Sequence, residues 1–509
     1  MGILNCAAIF SDHMVLQRNK NIKVWGNARS FSTITVTLGQ NSTSAYVKDN
    51  KWICTLPPMI EGGPYEMNIS DDNGNIITFK DIMIGEVWMA GGQSNMEFEL
   101  HGADGGEDAI KSSKDVNVRF YYTKKMPFID EFYYLDERDN SWTCAGDEKA
   151  MRCWSAVGYF YAKKLSEELG VTVGVIGCNW GGTSASAWMS KEMLSTDVDT
   201  KTYVDEYDKA MNDKTFEGYL AELEDYNNWY NEWQPKINEF YRENPEGVWD
   251  DALKFAGPTR WPEPLGPKSP FRPAGLYETM VCRNNPYALA GFIYYQGESD
   301  DHKNTTYYKL LKKLIEQWRN DWEDDSLPFY IVQLPMHMER GDKDHKHWCK
   351  IREAQYRVHK TTANTGLAVI LDCGEYGNIH PTNKKPVGER LALQALYHTY
   401  KKLDETKAYG GFYKSHTYEK GGMMLHFDYI TDGFEVKGDN ITLFEIAGED
   451  KKFVTAKAEI INNKIFIKSN EIKIPVYARY NWTNFGEVTL FSKSSGIPLA
   501  PFRTSMNDE

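Results

Sequence analysis

Apolar positions follow two different rhythms along this chain. Up to about residue 80 they alternate with polar ones in short runs: IKVWG, STITVTL, TSAYVK, KWICTL, YEMNIS and NIITFK. The turn formers DNG and EGGP divide them. Alternation of this kind sends every second side chain to one face of a strand, so a small all-β unit is expected over 1–80. From 81 the runs become apolar throughout, in IGEVWMA, VTVGVIGCNW, ALAGFIYYQ, PFYIVQL and TGLAVILDC. Segments of helical period lie between them, around Val157–Leu169, Tyr307–Trp322, Ile351–Thr361 and Lys385–Tyr400. Strands apolar on both faces and joined by helices predict an α/β domain over 81–405, its parallel sheet covered on both sides.

An excursion over about 190–285 interrupts this domain. It begins acidic, aromatic and helical in period, and ends in the Pro-rich GPTRWPEPLGPKSPFRP, which predicts a packed loop. Insertions of this length are commonly functional, and a wall around the substrate is the expected role. Strand-like runs return in MLHFDYI, NITLFEIA, AEIINNKIFIKS and IPVYARYNW, predicting a C-terminal β unit over 406–509. No internal repeat is present.

In such sheets a ligand binds beyond the carboxyl ends of the strands, so the residues following each apolar run carry the chemistry. The first run leads into Gly91, Gly92, Gln93, Ser94, Asn95 and Met96. The second leads into Asn179, Trp180, Gly181, Gly182 and Thr183, and the third into Gln296, Gly297, Glu298, Ser299 and Asp300. The fifth leads through ILDCGEYGN to Ile379, His380 and Pro381. Ester hydrolysis needs a nucleophile, a base and donors for the developing oxyanion. Ser94 can present its hydroxyl at a strand-to-helix turn, and His380 is the one histidine that the strand pattern places at the same edge. Gly181 or Gly182 offers a backbone N–H, Gln296 a side-chain amide, and Ser94 its own N–H. GQSNM lacks the second glycine of the G-x-S-x-G elbow. Each cluster alone reads as an ordinary turn or helix start; the case rests on four of them ending one set of strands.

The 509 residues are too many for one core. A net charge of −14 excludes nucleic acid and anionic membrane surfaces as expected partners. No apolar stretch approaches the ~18 residues of a membrane span. The start MGILNCAAIFSDHM carries no leader pattern, so a cytoplasmic location is expected for the sequence as it stands, and export if a leader preceded it. Eight cysteines occur without CxxC or zinc spacing, which predicts reduced thiols; Cys144 and Cys153 could pair in an exported chain. The sequons at Asn41, Asn68, Asn304, Asn440 and Asn481 matter only in a glycosylating compartment.

IFSDHMVLQRNKNIKVWG, GEVWMAGGQSNME, GCNWGGTSASAW, FRPAGLY with GFIYYQGESD, HPTNKKPVGERLA, PVYARYNWTN and SGIPLAPFRTS together cover nearly the whole chain. In these blocks it resembles the SGNH hydrolases, and specifically the sialate O-acetylesterase family. The resemblance implies a flavodoxin-like α/β core with a parallel sheet, flanked by N-terminal and C-terminal β domains. It implies Ser94 as nucleophile, His380 as base, and Gly182 (or Gly181) with Gln296 in the oxyanion hole. The glutamine stands where many SGNH hydrolases carry asparagine. No metal or other cofactor is implied. The expected reaction is removal of O-acetyl groups from a sugar, O-acetylated sialic acid first, through an acetyl-Ser94 intermediate. Acetylated xylan or mannan oligosaccharides are the alternative substrates, and a sugar-binding protein with a decayed catalytic core is the alternative of another class.

One position departs from the family pattern. An aspartate commonly precedes the histidine by two or three residues, whereas Gly377 and Asn378 stand there. A neutral asparagine orients an imidazole but stabilises the imidazolium less than a carboxylate does. Asp372 or Glu375 can supply the acid, a backbone carbonyl can replace it, or a Ser–His dyad can operate with Asn378 as the orienting contact; the dyad is the expectation. Further candidates carry plainer readings. Glu298 is a possible substrate contact or a dipole-stabilising acid at a helix start. Arg352 of IREAQ contacts substrate or pairs on a helix face. Trp180, Trp188 and Tyr295 stack on a sugar or pack the core. His345 and His347 lack a third metal ligand and read as a solvated loop.

Overall fold

The computed structural model describes residues 4–130, 133, 140–245, 247–419 and 421–507. The extreme ends of the two expected β units (1–3 and 508–509) and position 246 of the insertion lie outside them. The protein is a mixed α/β chain with several sheets. It divides into two compact units, one of Met1–Ala210, Leu265–Gln296 and Lys309–Tyr330, the other of Met211–Pro264, Gly297–Tyr308 and Ile331–Glu509.

The first unit is organised by one long strand, β1 (Ile76–Gly92). Its first half pairs antiparallel with strand Gly62–Asp71, from Ser70↔Ile76 onward. Its second half pairs parallel with β3 (Val173–Asn179) and β4 (Gly291–Tyr295), and β2 (Val118–Tyr122) pairs parallel with the far side of β3. The spatial order is β2-β3-β1-β4. The strand therefore runs unbroken across position 80, where the change of pattern sets a boundary in sequence. The change is real, since burial turns from alternating to continuous along β1. It coincides with Asp81, at φ +54°, where the antiparallel pairing shifts register between Tyr65↔Ile82 and Met67↔Phe79. Helix Ala156–Leu169 packs on this sheet. Ser155 opens it by accepting the Gly158 N–H at 2.9 Å, and Gly170 closes it at φ +69°.

Strand β6 (Thr365–Val369) lies beside β5 (Phe329–Gln333). Helices His347–Thr361 and Lys385–His398 follow the two strands. The C-terminal part contains an antiparallel sheet in the order Phe412–Glu419, Gly422–Asp428, Lys464–Lys468, Lys457–Ile461. Met423, Leu425, Phe444, Ile446, Ile465 and Ile467 belong to its core.

The excursion over 190–285 is not one piece. Residues 265–285 belong to the first unit and are packed there, with Ser269, Leu276 and Met280 fully buried. The middle belongs to the second unit. There the 28-residue helix Phe216–Glu243 and helix Trp249–Ala256 close a small core of Trp233, Ile237, Ala252 and Ala256. All eight cysteines, Cys144 and Cys153 included, are free thiols. Among the described residues no helix is long and apolar enough to cross a membrane.

Candidate active site

The register of the first unit's sheet aligns three strand ends. Gly92 of β1 stands opposite Asn179 of β3 and Tyr295 of β4. The residues that follow, Gln93–Ser94, Trp180–Gly182 and Gln296, therefore leave the sheet at one edge. Close approach explains the two glycines before Ser94. A Cβ on Gly92 would fall 2.1 Å from the Tyr295 carbonyl oxygen, and one on Gly91 would fall 2.7 Å from the Trp318 ring. Gly92 also sits at φ +136°, a conformation open to glycine. Two backbone bonds then fasten the edge: Trp180 N–H donates to Gly92 O, and Gln93 N–H to Tyr295 O, both at 3.1 Å. Ser94 is half-buried and is the first residue of the one-turn helix Ser94–Glu97.

The turn after β3 lies against the serine. A Cβ built on Gly181 would be 3.2 Å from Ser94 Cβ, a tight approach that the glycine avoids. Its N–H donates to Glu97 Oε2 at 2.8 Å. That commitment separates the two glycines offered by the sequence: the Gly181 N–H is taken by a carboxylate, while Gly182, at φ +74°, bonds no acceptor among the described residues. Thr183 braces the turn, donating to Trp180 O at 2.7 Å and accepting from Trp188 Nε1 at 2.9 Å. Gln296 is fully buried and donates its amide to Thr183 O at 3.3 Å. Trp188 and Tyr295 are fully buried, so both pack the core and neither presents a ring to a sugar. Trp180 is the partly exposed one of the three, with the Lys125 ammonium 5.4 Å from its ring centre.

The histidine segment belongs to the second unit, following β6. His380 is exposed, and its backbone N–H donates to Asn378 Oδ1 at 3.0 Å. Asn378 in turn donates to Glu375 Oε2 at 2.8 Å, while Glu375 Oε1 accepts the Thr382 N–H at 3.1 Å. Asn378 thus orients the backbone of His380, and Glu375 holds the loop on both sides of it. Asp372 is committed elsewhere, in a two-pronged pair with Arg390 at 2.6 and 2.8 Å. An acid that the sequence reading passed over, Glu339, is held below the usual carboxylate range, first by its bond to His337 and also by the charge of His380. Nothing in the sequence marks it, since it is 41 positions before the histidine on a polar loop.

Glu298 is buried, and its charge acts on Lys384. Lys384 is wholly buried, and that burial pushes its ammonium down to about 7 against the attraction of Glu298. Arg352 is not a substrate contact in this fold. It is fully buried, and its guanidinium donates to Thr483 O at 2.5 Å and Trp348 O at 3.4 Å, bracing helix His347–Thr361. Both ring nitrogens of His347 are engaged, Nε2 with Asp301 at 3.2 Å and Nδ1 with Asn484 at 3.3 Å. Among the described residues one trio, His13, Asp81 and Cys144, has metal-ligating atoms within 4.8 Å of one another. Arg119 already supplies a cation there, 3.0 Å from Asp81.

The chain is similar to several known proteins. The family model for carbohydrate esterase, sialic acid-specific acetylesterase, matches residues 265–396. The sialate O-acetylesterases of Mus musculus and Homo sapiens are 25% and 23% identical to the chain. The alignments cover 97% and 99% of it and 93% of each relative. Among solved structures, a carbohydrate acetylesterase from Xanthomonas citri is 27% identical and superposes with a TM-score of 0.78, covering 99% of both chains.

Proposed function

We propose that the chain, a carboxylic ester hydrolase similar to the sialate O-acetylesterases, deacetylates a carbohydrate through an acetyl-Ser94 intermediate, O-acetylated sialic acid being the first substrate. One observation carries the reading: the register that brings Gly92, Asn179 and Tyr295 level, so that Ser94, the 180–182 turn and Gln296 share one edge. The order β3-β1-β4 is also the 2-1-3 beginning of a doubly wound 2-1-3-4-5 sheet. It supports a flavodoxin-like SGNH core over 81–405 with β domains before and after it.

In the proposed reaction Ser94 Oγ attacks the acetyl carbonyl carbon as His380 takes the hydroxyl proton. The carbonyl oxygen becomes an oxyanion, met by the N–H groups of Ser94 and Gly182 and by the Gln296 amide. A donor of this kind is worth about 10² to 10³ in kcat. Collapse breaks the bond to the sugar oxygen, which leaves with the proton from His380. Water, deprotonated by His380, then attacks acetyl-Ser94 and releases acetate. His380 is read as working without Asp372 or Glu375, since Arg390 claims the first and Asn378 and Thr382 occupy the second; Asn378 orients its backbone, and Glu339 is an acid that feels its charge. Trp180, partly exposed beside the turn, stacks on the sugar ring.

The sialate relatives favour an acidic sugar and the Xanthomonas citri relative supports carbohydrate more broadly. Acetate release from O-acetylated sialic acids, xylo-oligosaccharides and manno-oligosaccharides tests the choice. The expected result is a kcat/KM for the sialic acid at least tenfold above the others. A reversed preference assigns the enzyme to plant glycans, and binding without release from any of them makes it a decayed sugar-binding protein.

A further inference from the structure

Glu97 is the fourth residue of the helix that begins with Ser94, which puts both side chains on one face of a single turn. Its carboxylate is spoken for at both oxygens. Oε2 accepts the Gly181 N–H at 2.8 Å, and Oε1 pairs with the Lys125 ammonium. Lys125 lies 5.4 Å from the Trp180 ring centre, so the contacts close a ring: Glu97, Gly181, Trp180, Lys125. Inside that ring the serine and the glycine turn approach closely, a Cβ on Gly181 falling 3.2 Å from Ser94 Cβ.

A peptide group has two polar ends, and fixing one N–H fixes the plane of the unit behind it. With the Gly181 N–H held by Glu97 and the Trp180 N–H held by Gly92 O, two consecutive amides of the turn are anchored to the strand and helix that carry Ser94. The next amide, that of Gly182, is then carried in a set direction with its N–H unspent. We propose that Glu97 is a positioning residue for the oxyanion hole: it spends the Gly181 N–H to lock the 180–182 turn onto the nucleophile's helix, and so sets the Gly182 N–H. The inference rests on Ser94 as the nucleophile. What the lock requires at position 97 is an acceptor oxygen at the right reach; negative charge is secondary, because Lys125 is exposed and can turn to solvent.

Three variants of the full chain separate these roles. Glu97→Gln keeps an acceptor oxygen at full reach and loses the charge. Glu97→Asp keeps the charge and withdraws the oxygen by one methylene. Glu97→Ala loses both. A displacement of about 1 Å in a catalytic group can cost on the order of 10²-fold. With p-nitrophenyl acetate, kcat should therefore stay within about threefold of wild type for Gln, fall about tenfold for Asp and about 10²-fold for Ala, with KM within about threefold throughout. Circular dichroism and Tm check that each variant folds, and should Glu97→Ala fail to do so, the Gln–Asp pair decides. An active Gln beside an impaired Asp supports the lock. The reverse order, or an Ala variant within twofold of wild type, overturns it. A parallel Ser94→Ala measurement keeps the two claims apart: activity surviving there removes the nucleophile reading itself, whereas a dead Ser94→Ala with indifferent Glu97 variants removes the lock alone.

Discussion

Asp372 is one of two acids close before His380 that a catalytic triad could draw on, and the structure ties it to Arg390. The pair is two-pronged, at 2.6 and 2.8 Å, with side-chain exposures of 10% for the arginine and 22% for the aspartate. Asp372→Ala would leave a buried guanidinium with one remaining carbonyl partner, Val369 O at 3.0 Å. Breaking a buried pair costs about 3–5 kcal/mol. The exposed fifth of the aspartate and the surviving carbonyl bond bring the expectation down to about 2–3 kcal/mol. At about 2–4 °C per kcal/mol for a body of this size, Tm should fall by roughly 4–12 °C. Activity should be spared: measured well below Tm with p-nitrophenyl acetate, kcat should stay within about tenfold, whereas loss of a triad acid costs about 10⁴. Adding Arg390→Met should restore much of the stability, since neither charge is then stranded. An Asp372→Ala enzyme with unchanged Tm and kcat down by about 10² or more would refute this reasoning and make Asp372 the acid behind His380.

Gln296→Ala should lower kcat by about 10² to 10³ with little change in KM, as expected for an oxyanion donor; a change confined to KM would make the glutamine a sugar contact. Replacing residues 212–264 by a linker should spare p-nitrophenyl acetate and impair larger acetylated glycans, because that segment closes its own core; equal damage to both would make it a brace. Burial pushes His359 down to about 3 and His398 to about 4, so the folded chain keeps both neutral. The stability this confers is complete above the unfolded value near 6.5 and is lost as pH falls toward 4, with a slope approaching about 1.4 kcal/mol per pH unit for each proton taken up. Denaturant unfolding followed from pH 7 to 4.5 should show the decline, and a flat profile would contradict it.

The sheet was legible because burial on both faces leaves an unbroken apolar run, and each run's polar exit then stood out. β2 was missed because Arg119 interrupts its run VRFYY; the arginine is buried at no great cost, satisfied by Asp81 at 3.0 Å and His13 O at 2.9 Å. Pattern alone could not reveal that pairing across the fold. The same limit hid Glu97: 84 positions separate it from Gly181, so the bond that distinguishes Gly181 from Gly182 exists only once β1 and β3 are level. Around His380 the signal was local but ambiguous. Asp372, Glu375 and Asn378 all lie within eight residues of the histidine, and their separate employments depend on Arg390 and on Thr382.

In the proposed reaction Ser94 carries the acetyl group. Wild-type enzyme quenched with acid during turnover of an activated acetyl ester should yield, by peptide mass spectrometry, an acetylated fragment containing Ser94. Ser94→Ala should yield none and should lose about 10⁴ to 10⁶ in kcat with its fold intact. Acetate release by Ser94→Ala at more than a tenth of the wild-type rate, or acetylation trapped on another residue, would contradict the account.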